Sequence, residues 1–377
     1  MDKNRLTEYL DSLINEGIPS VDCMVCRNHE IIYRHMNGTI DYDKSIKVQP
    51  DTLYMVFSMT KIQTMTAVMQ LVEKGKLSLE DEVGKFLPAY NDIYVDDSSD
   101  GEKRKAKNKL LIKHLLSMQS GLDYNLNRGG IDRILREKGD AASTRELVDS
   151  FVESPFSFEP GTHFQYSLSH DVAAAVIEAV TGMKFGDYLE ENIWKPLGMK
   201  NTYFAEPMNS GDRLAAQFIY NDQNSKIEKM DMSCCYQLSK AYQSGGAGLI
   251  SCTEDYMKLG DTLSNGGISE KGVKIIEKDT IDLIRTNLLG EDSLKDIENN
   301  MGRRGYGYGC GMQILMHPEL IGSPAPAGLF GWDGAAGSCM IMHPESGTTL
   351  VFAMHVRGYG PAYSIIHPKL RDMVFGC

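Results

Sequence analysis

The chain has no apolar run long enough to cross a membrane, no excess of positive charge and no histidine pair at metal-binding spacing. Each absence removes a class of function. A membrane-spanning helix needs about 20 consecutive apolar residues, so none is expected. Lys and Arg number 39 against 51 Asp and Glu, a net charge of −12. This balance argues against a nucleic-acid partner, which wants a basic face, and gives no support for docking on an anionic membrane. The nine histidines show neither H-x-x-x-H nor H-E-x-x-H spacing, and no metal or organic cofactor is implied. Eight cysteines, at 23, 26, 234, 235, 252, 310, 339 and 377, are spread through the chain and read as free thiols. Cys23 and Cys26 have C-x-x-C spacing but fall in an alternating, strand-like stretch that sends i and i+3 to opposite faces. The charged start, Met1-Asp2-Lys3-Asn4-Arg5, has no apolar core of a signal peptide, so the expected location is cytoplasmic.

What is present is ordinary for a globular protein: 377 residues, 42% hydrophobic and 24% charged. That length is ample for two lobes. Leu6, Tyr9, Leu10 and Leu13 mark an opening amphipathic helix that ends before Gly17. Val21 to Met36 reads as a hairpin turning at Arg27-Asn28-His29-Glu30. From 76 to about 204 the pattern is helical and loop-rich, with a charged loop over 96–105. After 205 strand signals return. Cys339–His343 and Thr348–His355 form a second hairpin, and Ile365–Phe375 a closing helix. Glu291–Arg304, polar and Gly/Asn-containing, reads as a flexible loop. The expectation is an α/β domain built from both chain ends (1–75 and 205–377), with a mostly helical insertion at 76–204.

The most informative stretch is Ser58-Met59-Thr60-Lys61. Apolar, extended residues precede it. Ile62, Met65, Val68, Met69 and Val72 follow at helical spacing, so Ser58 falls near a helix N-terminus. There the backbone N–H groups favour negative charge. Lys61 lies on the same face one turn along. A desolvated amine beside a hydroxyl has a lowered pKa and can take the serine proton. The plain alternative is an N-capping serine and a surface lysine.

Two further segments could complete such a site. In Gly161-Thr-His-Phe-Gln-Tyr166-Ser-Leu-Ser-His-Asp171, Tyr166 lies in a loop just before a helix, where its phenol could serve as acid and base. Its alternative is a packed aromatic. Gly331-Trp332-Asp333-Gly334-Ala335-Ala336-Gly337 runs into the Cys339 strand, and its small residues let the backbone approach a ligand. The N–H groups of Ala335 and Ser58 would form a two-donor oxyanion hole. Its alternative is a glycine-rich turn feeding a hairpin.

Together these motifs resemble the serine β-lactamase-like superfamily, which includes penicillin-binding proteins, class C β-lactamases and related carboxylesterases. The resemblance spans roughly residues 15 to 360. It continues in Leu77–Val83, in Ile112–Leu122, in Trp194–Met199, in Gly245–Ser251 and in Tyr308–Gly311. It implies an antiparallel sheet flanked by helices beside a helical lobe, with the site between them. It implies Ser58 as the acylated nucleophile, Lys61 as its proton acceptor and Tyr166 as the relay to the leaving group and deacylating water.

Two departures bear on the substrate. Lactamases of this type carry an asparagine two residues after the tyrosine, where this chain has Leu168. Their third motif is Lys-Thr-Gly, where this chain has Trp332-Asp333-Gly334. Loss of that lysine removes the attraction for a substrate carboxylate. Trp332 and Leu168 offer apolar area and one indole donor instead. Together with Tyr124, Asp333 and Gly334 they form the expected substrate-binding set. Asp333 is expected to point to solvent, or else to pair with a nearby base. The leading expectation is a serine carboxylesterase acting on small or medium acyl esters. The alternatives are a β-lactamase or D-Ala-D-Ala peptidase, and a sensor that acylates without turnover. The expected partner is a small ester or amide. The sequence leaves the oligomeric state open.

Overall fold

The computed structural model describes residues 1–41, 43, 45–96, 102–204, 213–231 and 236–376. Cys234, Cys235, Cys377 and residues 97–101 of the charged loop lie outside the described residues.

The opening helix, Lys3–Asn15, starts at Asp2, whose carboxylate accepts from the N–H groups of Asn4 and Arg5. Its apolar stripe, Leu6, Tyr9, Leu10 and Leu13, is buried. The first hairpin is formed by Ser20–Arg27 and Glu30–Asp41. Asn28 and His29 both take positive φ, +47° and +69°, the geometry a tight two-residue hairpin turn requires. The second hairpin, Cys339–His343 with Thr348–Ala353, lies directly against the first, with Cys23 opposite Phe352. Both chain ends thus meet in one eight-stranded sheet. Its order is 306–308, 313–315, 330–333, 339–343, 348–353, 20–27, 30–41, 46–47, and every pairing is antiparallel.

Strand alternation sorts the sheet into two faces. Cys23 and Val25 join the cluster of the opening helix and the closing helix His367–Phe375. Met24 and Cys26 join the larger cluster on the other face. The C-x-x-C pair is therefore split across the sheet, and both thiols are free and buried.

The helix after Ser58, Thr60–Glu73, is buried on every side from Thr60 to Leu71, not on one stripe alone. A helix covered all round belongs to the interior. It packs against the helix Ser169–Thr181, which ends on Gly182 in the left-handed region. Residues 76–204 add the helices Ile112–Leu116, Gly129–Lys138, Thr144–Asp149 and Phe185–Leu189.

Two readings are corrected. Glu291–Arg304 is not a flexible loop: Glu291–Met301 is a helix capped by Gly302 at φ +65°. Glu291 and Asp292 suit its N-terminal turn, Lys295 pairs with Glu291 at 3.1 Å, and Ser293 and Ile297 are buried. Polar composition hid this short buried stripe. Within the charged loop, Arg104–Lys105 pairs as a strand with Tyr94–Val95.

Candidate active site

The approach to Ser58 is a strained turn. Tyr54–Met55 pairs with Ile250–Ser251, and Val56 N–H donates to Leu249 O at 3.0 Å. Phe57 then takes φ +45°, an uncommon conformation for an aromatic residue. A 3-10 turn over Phe57–Met59 leads into the buried helix and leaves Ser58 half-buried. The first N–H groups of such a helix have no intrahelical acceptor, and that of Ser58 is among them.

Lys61 has 0% exposure. Its Nζ lies 3.2 Å from Ser58 Oγ, 2.8 Å from Tyr124 Oη and 2.7 Å from Gly246 O. Among the described residues no carboxylate forms an ion pair with it. Burial lowers its pKa to about 7, opposed by the more distant charges of Asp171 and Asp333. Asp171 is buried on the helix Ser169–Thr181 and accepts from Tyr242 Oη at 2.7 Å. It also bonds the Gly246 N–H, while the carbonyl of Gly246 holds the lysine. A β-carbon at Gly246 would lie 2.6 Å from Asp171 Oδ2 and 3.5 Å from Lys61 Nζ, so only glycine fits between them.

Tyr166 is held by its loop. Gln165 N–H donates to Met118 O at 2.9 Å, and Ser167, Ser169 and Ser120 share hydroxyl bonds of 2.7 Å. The ring stands 4.6 Å from Lys61 Nζ, and the phenol bonds to Ser58. Trp332 Nε1 donates to the phenol oxygen at 2.9 Å. Burial pushes the Tyr166 pKa well up, so it remains a neutral phenol. Tyr124 and Trp332 flank it with ring centroids at 5.3 and 5.4 Å, and Tyr308 meets Trp332 edge-on at 5.1 Å.

The third element is the turn after the strand Phe330–Asp333. Gly334 N–H donates to Ser338 O, and Gly337 N–H to Gly334 O. A side chain at Gly334 would collide with the carbonyl oxygen of Val56, and one at Gly331 with that of Met340. The turn therefore lies against the residues that lead into Ser58, with Ala335 half-buried at its crest.

A Beta-lactamase family profile matches residues 4–368. The chain belongs to the beta-lactamase family. It is 26% identical over 397 residues to Esterase EstB of Burkholderia gladioli, covering 98% of this chain and 94% of that one. It is 26% identical to a putative D-alanyl-D-alanine carboxypeptidase of Escherichia coli K12, covering 92% and 81%. The structure of EstCE1, a hydrolase with promiscuous acyltransferase activity, superposes with a TM-score of 0.80 at 24% identity, covering 99% and 98%. Beta-lactamase-family proteins are serine hydrolases, and this fold is the expected antiparallel sheet with flanking helices.

The fold thus brings Ser58, Lys61, Tyr166, Tyr124, Trp332 and the Gly334–Ala335 turn together. Leu168 departs from expectation: it is 1% exposed in the core, its backbone N–H bonded to Asp123 O. Trp332 is also 1% exposed, and its indole donor is committed to Tyr166 rather than offered to a ligand. Asp333 does not point to solvent. It pairs with Arg303 at 2.6 Å, both side chains about seven-eighths buried. Sequence reasoning passed over Asp171, although it stands five residues after Tyr166, and over Arg303, which lay in the segment read as a loop. Among the described residues, no group of three or more His, Cys, Asp or Glu is placed to hold a metal ion. No described helix is long and apolar enough to cross a membrane.

Proposed function

We propose that this beta-lactamase-family protein is a serine carboxylesterase that forms a Ser58 acyl-enzyme from small or medium neutral acyl esters. One observation carries the reading: a fully buried Lys61 amine, without a directly paired carboxylate, 3.2 Å from Ser58 Oγ. With a pKa of about 7, much of it is neutral at neutral pH. A neutral amine has two N–H groups and one lone pair. Gly246 O and Tyr124 Oη take the two N–H groups, which leaves the lone pair for the Ser58 proton.

In this reading the Ser58 proton moves to Lys61 as Oγ attacks the ester carbonyl. The oxyanion forms against the N–H groups of Ser58 and Ala335. Tyr166, a neutral phenol beside both Ser58 and Lys61, passes a proton to the departing alkoxide and is refilled from Lys61. Water then enters by the reverse path, and the acid leaves. We assign the base role to Lys61 and the relay to Tyr166, because burial drives the phenol away from ionisation.

The preference for a neutral ester rests on the third motif. Its first position is a buried tryptophan in place of a cation, and the neighbouring Asp333 is neutralised by Arg303. The likeness to Esterase EstB supports the ester reading.

The test is side-by-side turnover of short-chain p-nitrophenyl esters and a chromogenic cephalosporin, followed by rate and intact mass, with Ser58→Ala as the blank. Ester turnover well above lactam turnover is expected. The opposite ranking would make it a lactamase, and a stable acyl adduct without turnover would make it a sensor.

A further inference from the structure

The peptide bond that presents the Ala335 N–H is the same bond that carries the Gly334 carbonyl. That carbonyl accepts two hydrogen bonds, from Gly337 N–H at 2.9 Å and from Tyr363 Oη at 2.9 Å. Tyr363 lies in Ala362–Ile366, the turn leading into the closing helix. One turn later, His367 Nε2 bonds the Gly337 carbonyl at 2.8 Å, the other end of the same backbone turn. The two rings pack edge-on at 5.4 Å and 87°. Gly334, Ala336, Gly337 and Ser338 are buried, whereas Ala335 is half-buried. The turn is therefore held at both carbonyls, and Ala335 is its one half-buried residue.

We propose that Tyr363 is a positioning residue for ester hydrolysis: its hydroxyl orients and polarises the Gly334–Ala335 peptide and so strengthens the oxyanion donor. The inference rests on the reading of Ala335 given above. The physical basis is cooperativity. A hydrogen bond accepted at an amide oxygen draws electron density through the C–N bond and makes the attached N–H a stronger donor. It also fixes the plane in which that N–H points, and an oxyanion hole works only when it is aimed beforehand. A water molecule could satisfy Gly334 O, but a ring wedged between the turn and His367 holds its donor in place. Burial, reinforced by Asp333, keeps the Tyr363 phenol protonated, so the donor persists across any practical assay pH.

Tyr363→Phe removes the hydroxyl and keeps the ring. The expected result is a kcat lower by about three- to tenfold, the worth of one hydrogen bond, with KM within about twofold. An isotope-edited infrared spectrum of the acyl-enzyme, formed by rapid mixing with a carbonyl-labelled p-nitrophenyl ester, supplies the second readout. A weaker hole raises the acyl C=O stretching frequency. An unchanged frequency overturns the proposal, whatever happens to the rate, because a merely structural loss would leave the bound acyl group unaltered. Should the variant lose its native melting transition, replacement of Tyr363 by a fluorinated tyrosine keeps the shape and strengthens the donor. The stretch should then fall, and no movement again overturns the proposal. Failure of wild type to acylate at Ser58 is a separate result: it removes the hydrolase reading itself, and this inference with it.

Discussion

Two buried cations stand beside this site and are handled in opposite ways. Arg303 is given a carboxylate, Asp333, at 2.6 Å. Lys61 is given only a carbonyl and two hydroxyls, with Asp171 set behind Gly246. The paired cation neutralises a charge and holds the third-motif strand. The unpaired one pays the desolvation penalty alone, and its pKa drops to about 7. A direct carboxylate would have kept Lys61 charged and useless as a base. In the proposed reaction, the basicity of Lys61 comes from withholding a partner.

The comparison can be broken most severely at Lys61. Lys61→Ala should lower kcat/KM for a p-nitrophenyl ester by about a thousandfold or more, because members of one proton-transfer unit fail together. Near-normal activity would remove Lys61 as the base.

On the other side of the comparison, Arg303→Met leaves Asp333 buried without its cation. A stability loss of about 3 kcal/mol is expected, the usual cost of breaking a buried pair. The double variant Arg303→Met with Asp333→Asn should recover much of it. Thermal melts of the three proteins check this, and equal losses in single and double variants would deny the pair its structural role.

The unpaired state of Lys61 also sets a pH profile. In the proposed reaction its neutral form is the base, so kcat/KM should rise with pH and level off above about 7. A flat profile between pH 5 and 9 would contradict the lowered pKa. The finest adjustment is at Asp171, whose charge raises the Lys61 pKa. Asp171→Asn keeps the shape and removes the charge, so the rising limb should move to lower pH. A shift to higher pH would reverse the electrostatic argument.

Much of this was legible in the sequence because local rules sufficed. Helical spacing after Ser58, the hairpin turns and the Gly182 stop depend on neighbours in the chain. The residues Ser58, Lys61 and Tyr166 are named by motif, and the fold sets them side by side. What remained hidden depends on distance in space. Leu168 and Trp332 were read as pocket walls because apolar side chains near a site suggest apolar contacts. Burial in one case and a bond to Tyr166 in the other commit them elsewhere. Asp333 could be understood only with Arg303, 30 residues away in a segment whose buried stripe is two residues wide. Nothing in the order of residues announces that Gly334 O receives the Tyr363 hydroxyl.

The glycines on either side of Trp332-Asp333 have a consequence for laboratory evolution. Position 331 is closed by Met340 O and position 334 by Val56 O. A saturation library across 331–334 should therefore return folded clones that almost never vary in the outer two letters. This corner of the protein is thus framed by two positions that each admit a single letter.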